Sequence, residues 1–183
     1  MKCILCDNFS FEIICPNCQK KLLQPTIKKR DDIISFYQYD EIETLLKYKY
    51  HPFGSRVFKI LAKNSFAKFS EVYKEKIYSI SIDDKIKKGY SHTAILNKSL
   101  KSKQIIPLYK TLISQNNITY AGKDLQFRLN NSRNFKYTGN KNIDVILVDD
   151  VVTTGTTIKE AKEVLKKYNV NVVFCLVLVD KRW

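Results

Sequence analysis

The stretch Val145-Ile146-Leu147-Val148-Asp149-Asp150-Val151-Val152-Thr153-Thr154-Gly155-Thr156-Thr157 decides the fold of this chain. Its four leading apolar residues, Val145 to Val148, predict a strand buried on both faces, as in a parallel sheet covered by helices. Two adjacent carboxylates, Asp149 and Asp150, follow where such a strand ends, and a hydroxyl-rich turn around Gly155 then opens a helix. Ile158, Ala161, Val164 and Leu165 recur on one face of that helix, with Lys159, Glu160, Lys162, Glu163, Lys166 and Lys167 outside. In open α/β sheets ligands bind beyond the carboxyl ends of the strands, so the carboxylates and the turn share one crevice.

Residue type dictates what that crevice suits. Gly155 lets the backbone curl, and Thr153, Thr154, Thr156 and Thr157 each carry a hydroxyl. Free N–H groups at the helix start add partial positive charge, so Val152 through Thr157 form a phosphate cradle. Asp149 and Asp150 repel phosphate but suit vicinal hydroxyls, or a hard divalent cation bridging hydroxyls and pyrophosphate. A phosphate at one end and a diol in the middle describe a ribose 5-phosphate.

The run resembles the thirteen-residue signature of type I phosphoribosyltransferases over its whole length. That resemblance implies binding of 5-phosphoribosyl 1-pyrophosphate (PRPP) with magnesium. Thr153 stands where purine-specific members carry an acid, and threonine is no general base near neutral pH. The signature therefore supports PRPP binding more strongly than catalysis.

Cys3, Cys6, Cys15 and Cys18 form two C-x2-C knuckles separated by eight residues. Four thiolates at that spacing suit a closed, structural zinc site. Pro16 and Asn17 fit the tight turn of the second knuckle. The competing reading is a pair of disulfides. Met1-Lys2-Cys3 leads straight into the knuckle with no apolar stretch of secretory length, which points to a reducing cytoplasm and favours zinc. Cys175, inside an apolar run, reads as an inert core residue.

At 183 residues the chain suits one main domain with a small appendage: a zinc ribbon and basic linker over 1–32, then an α/β domain over 33–183. The longest apolar runs, Val145–Val148 and Val172–Val179, are too short to span a bilayer, so no membrane insertion is expected. A formal net charge of +14 attracts polyanions and favours nucleic acid as a partner. The charge is spread along the chain, however, and an AT-rich codon bias toward Lys, Ile and Asn explains it equally well.

Strands are expected at 33–39, 78–82, 104–112, 145–149 and 172–179, and helices from Asp40 as cap through Leu46, over Arg56 to Phe69, and from Ser91 to Leu100. The four strands from residue 78 onward, separated by helices or crossovers, describe a parallel α/β sheet. Residues 118–142 show little periodicity, and a long irregular segment in a compact domain is usually functional or disordered.

The whole arrangement resembles the ComF competence family, in which a four-cysteine zinc ribbon is fused to a phosphoribosyltransferase-like domain. Leu46-Lys47-Tyr48 with Phe53-Gly54 is similar to that family's Lys-Tyr segment, and Lys87-Lys88-Gly89-Tyr90-Ser91-His92 to its basic-Gly-aromatic turn. Gln126, Leu129, Arg133, Asn134 and Phe135 resemble a further family stretch in compressed form. Lys87, Lys88 and Gly89 suit pyrophosphate through point charge and close backbone approach, and His92 offers a further phosphate donor. The resemblance implies a cytoplasmic protein of natural transformation that binds single-stranded DNA during uptake and PRPP–magnesium in its crevice. Alternatives are an active phosphoribosyltransferase with a nitrogen acceptor, and an adaptor for a competence helicase. Single strands need cations interleaved with aromatic platforms, which Lys47, Tyr48, Lys49, Tyr50 and Arg56 supply, with Arg128 and Arg133 as further candidates. Tyr48 and Tyr50 are the two aromatics expected outside.

Overall fold

A computed structural model describes residues 1–86, 88–116 and 133–183. Lys87, Gln126, Arg128 and Leu129 therefore lie outside the described residues. The chain runs through α1 (Pro16–Leu22), β1 (Lys28–Arg30), β2 (Ile33–Tyr37), α2 (Tyr39–Leu46), a 3-10 turn (Lys47–Tyr50), α3 (Gly54–Ala62), a π turn (Lys63–Ala67) and α4 (Lys68–Val72). It continues through β3 (Ile77–Ser81), α5 (His92–Ser99), β4 (Ile105–Leu108), β5 (Leu112–Ser114), β6 (Phe135–Tyr137), β7 (Asp144–Val152), α6 (Thr156–Lys166) and β8 (Asn171–Asp180).

Six strands form one sheet in the order β1-β2-β8-β7-β3-β4, and every neighbouring pair is parallel except β1 with β2. The apolar run at 145–148 explains its centre. Val145, Ile146, Leu147 and Val148 are all fully buried, because alternate residues feed two separate cores. Val145 and Leu147 pack with Ile158, Ala161 and Leu165 of α6. Ile146 and Val148 pack with Val57, Phe58, Leu61 and Leu96 of α3 and α5. The sheet thus lies between α6 on one face and α3 and α5 on the other.

Four expectations differ in detail. The basic connection over 25–32 contains an edge strand, β1, which completes the sheet by antiparallel pairing with β2. Gln38, not Asp40, caps α2; its side chain and that of Glu41 form a reciprocal capping box. The helix expected over 56–69 runs on from Gly54 to Val72 with a π turn inside it, where Asn64 and Ser65 side chains donate to the carbonyls of Ile60 and Leu61. The strand expected over 104–112 is two strands, because Lys110 turns the chain with φ +55° and sends Leu112–Ser114 to pair with β6. Pro107 survives within β4 because β4 is an edge strand.

The N-terminal segment is packed into the larger core. Ile13, Ile14 and Leu23 share a buried cluster with Phe36, Phe58 and Phe66. Among the described residues no helix is long and apolar enough to cross a membrane.

Candidate functional site

The strand order places the site. The chain leaves β3 through α5 for β4 on one side, and leaves β7 through α6 for β8 on the other. The order therefore reverses between β3 and β7, which are hydrogen-bonded neighbours, and a crevice opens at their carboxyl ends. Asp149 and Asp150 lie at that end of β7. Gly155 follows with φ +80°, a left-handed conformation that glycine adopts without strain, and it serves as the N-cap of α6. Thr154 and Thr156 bring their hydroxyls within 2.9 Å of each other across the turn. Arg182 reaches the same turn from the end of β8, where a Cβ on Gly155 would lie 3.4 Å from its Nη1. Asp180 holds that guanidinium in two hydrogen bonds, 2.8 Å from Nε and 2.6 Å from Nη2.

The two acids face different surroundings. The Lys49 ammonium lies 2.6 Å from Asp150 Oδ2, and His92 Nε2 lies 3.7 Å from the same oxygen. Burial alone would raise the Asp150 carboxyl, but Lys49 and then His92 hold it well below the usual carboxylate range. Asp149 is pushed the other way, by burial first and by the negative charge of Asp150 second. Its Oδ1 accepts a 2.8 Å hydrogen bond from the Asp150 N–H. The pair therefore offers one firmly ionised, internally neutralised carboxylate and one carboxyl that stays protonated to higher pH. A diol ligand, or magnesium arriving with pyrophosphate oxygens, suits that donor set, since magnesium is bound through one or two carboxylates plus phosphates.

The other candidate residues fall in several places. Lys88 and Gly89 are exposed with φ +52° and +89° on the loop between β3 and α5, and Ser91 caps α5 by accepting from the Ala94 N–H. Lys47 is exposed and paired with Glu43 at 3.2 Å. Lys49 points inward to Asp150, away from any outer track. Tyr50 is 37% exposed, whereas Tyr48, expected outside, is half-buried with its ring against His51. Arg56 is exposed over the face of Phe53. Arg133 pairs with Asp83 at 3.6 Å, and its N–H donates to Glu160 on α6. Sequence reasoning missed Lys49 and Arg182 as parts of the crevice, because no local pattern marks either one.

At the other end of the chain, the Sγ atoms of Cys3, Cys6, Cys15 and Cys18 all lie within 4.8 Å of one another. Cys6 and Cys15 sulfurs are 3.7 Å apart, close to the sulfur separation of tetrahedral zinc with Zn–S bonds of about 2.3 Å. All five cysteines are free thiols, so the disulfide reading has no support here. Against burial, backbone N–H groups led by that of Cys15 lower the Cys3 thiol to about 6, while burial and the three neighbouring cysteines push Cys18 up to about 12. Such a cluster resists full ionisation unless a cation shares the charge. These four residues can hold a metal ion such as zinc.

Residues 107–182 match the phosphoribosyl transferase domain family. The matched stretch begins in β4 and takes in β7, the Gly155 turn, α6 and β8. Over 51 residues the chain is 41% identical to the transcriptional regulator GfcR of Halorubrum lacusprofundi, which covers 28% of this chain and 23% of that protein. Among solved structures, UMP synthase of Leishmania donovani aligns at 19% identity with a TM-score of 0.42, over 80% of this chain and 25% of that one. Adenine phosphoribosyltransferase of Trypanosoma brucei aligns at 12% identity with a TM-score of 0.47, over 87% and 88% of the two chains. The chain thus spans about a quarter of the length of the first two. The fold is a mostly parallel α/β sheet whose part at 107–182 matches the phosphoribosyl transferase domain, preceded by a four-cysteine cluster.

Proposed function

We propose that the crevice at the ends of β3 and β7 binds a ribose phosphate, with PRPP and magnesium as the favoured form. One observation carries this reading: at the reversal of strand order, a carboxylate pair leads directly into a left-handed glycine heading a helix. The turn meets the 5-phosphate with N–H groups and threonine hydroxyls, and the acids meet the ribose diol. Asp149 and Asp150 would hold magnesium, which would supply charge neutralisation for the pyrophosphate. In this reading zinc occupies the four-cysteine cluster as a structural ion.

The chain works as a cytoplasmic, ComF-type competence protein that binds single-stranded DNA during uptake. Three features support this: the net charge of +14, the exposed pair of Arg56 and Phe53, and Tyr50 near the crevice. Thr153 in place of an acid favours a binding role over transfer. The 51-residue likeness to a protein named as a transcriptional regulator accords with such a use of the fold.

Calorimetric titration of the zinc-loaded protein with PRPP and magnesium tests the crevice, alongside the Asp149→Asn/Asp150→Asn variant. Saturable binding that the variant loses is the expected result, and a wild type that does not bind refutes the reading. Fluorescence anisotropy with a labelled oligo-dT tests the DNA role; Tyr50→Ala with Arg56→Ala is expected to weaken binding without changing the melting temperature.

A further inference from the structure

Asp150 belongs to the matched stretch, but Lys49 and His92, the two described basic residues beside it, come from outside residues 107–182. Lys49 is the closer of the two, and several features hold it in place. The 3-10 turn Lys47–Tyr50 carries it past the end of α2. Tyr90, on the loop after β3, donates its hydroxyl to the Lys49 carbonyl and lies 3.3 Å from the Tyr48 carbonyl. Gly54 makes room for that contact, since a Cβ there would lie 2.0 Å from Tyr90 Oη and 2.1 Å from the Tyr48 oxygen. The lysine side chain is 26% exposed and the aspartate 6%, so the pair is largely withdrawn from water.

A solvated lysine is rarely drawn inside without a task, because ordering its long side chain costs conformational entropy. The task here follows from charge. Two adjacent carboxylates repel one another, and both repel a ligand carrying a monophosphate and a pyrophosphate. A fixed ammonium on one of them offsets that repulsion and leaves the other acid to the diol.

Resting on the ribose-phosphate reading of the crevice, we infer that Lys49 is a positioning residue of that site. It acts through Asp150: the pair stays locked together, Asp149 is the carboxyl group offered to the ribose hydroxyls, and the neutralised pair admits the polyanionic ligand. The recognition unit therefore extends beyond the matched domain to the turn at 47–54, held by Tyr90.

The test is calorimetric titration of zinc-loaded protein with PRPP and magnesium, with a thermal melt of each variant. Lys49→Met leaves the buried Asp150 without its ammonium, with only the more distant His92 beside it among the described cationic residues, and should weaken PRPP at least tenfold, while Lys49→Arg should stay within about threefold of wild type. Lys49→Met combined with Asp150→Asn removes both partners of the ion pair together, and should recover to within about fivefold of Asp150→Asn alone, because a residue that acts through Asp150 then has nothing left to act on. That rescue separates a charge-balancing role from a merely structural one, and it remains readable if the single Lys49→Met variant fails to fold. Wild-type affinity in Lys49→Met, or a folded double variant that binds far more weakly than Asp150→Asn alone, overturns the inference while the crevice reading stands. A wild type that does not bind PRPP overturns both.

Discussion

Gly54 has an ordinary place in the sequence, at the start of a helix, and a demanding one in space. A methyl group there would meet a backbone oxygen at 2.1 Å, which cannot rotate away as a flexible side chain can. Gly54→Ala is expected to cost about 3 kcal/mol, at the upper end of ordinary overpacking, seen as a lower urea midpoint with an unchanged m-value. A second residue-scale expectation concerns acid stability. Burial opposes ionisation of Asp180, yet the hydrogen bonds and charge of Arg182 hold its carboxyl below the usual value. A depressed folded pKa means stability that is present above the unfolded value of about 3.9 and lost as pH falls through the lower folded one. Asp180→Asn should therefore shallow the loss of stability below about pH 4, measured by urea unfolding across a pH series. An acid limb as steep as that of the wild type would show that the pair carries no linkage. Gly155, by contrast, was legible in the chain, because a left-handed helix cap is a local requirement. Gly54 and Asp180 owe their roles to partners that sequence spacing does not reveal.

At the scale of elements, the N-terminal knuckles show how a small four-cysteine cluster is tied to a larger body. Cys15 both joins the cluster and caps α1 by accepting from the Cys18 N–H, while its neighbour Ile14 is fully buried in the main core. Stripping metal with a chelator, or the Cys18→Ser change, is expected to lower the melting temperature by about 5–10 °C, a loss of a few kcal/mol at roughly 2–4 °C per kcal/mol. Differential scanning calorimetry with metal analysis checks this, and identical melts with and without metal would refute it. The elements legible in the sequence are those with a long apolar run or a clear period: the strands at 145–149 and 172–179, the helix after Gly155, and, within a residue or two, the strands at 33–39 and 78–82 and the helix at 91–100. Those read imperfectly were β1, β4 and β5, whose short strands exist through their neighbours. Lys28–Arg30 is a charged tripeptide that becomes a strand because β2 presents an open edge.

For the molecule as a whole, charge makes the measurable statement. With a net +14, any affinity for single-stranded DNA should fall steeply with salt, with a log–log slope of about −0.7 for each phosphate neutralised. A slope steeper than about −2 between 50 and 300 mM salt is expected for a backbone-tracking surface; a flat response would remove the DNA role. The two halves of the candidate site divide at this scale. Sequence alone determined the strand, the acid pair, the cradle and the four-cysteine cluster, because each depends on contacts within a few residues or on fixed ligand spacing. Only the tertiary structure decided that Lys49 and His92 meet Asp150, that Arg182 reaches the Gly155 turn, and that Gly54 accommodates Tyr90. These meetings follow from the order of the strands, which brings the turn at 47–54, the loop after β3 and the ends of β7 and β8 together beyond the carboxyl ends of the central strands. Such juxtapositions depend on contacts between residues far apart in the chain, and no local pattern encodes them.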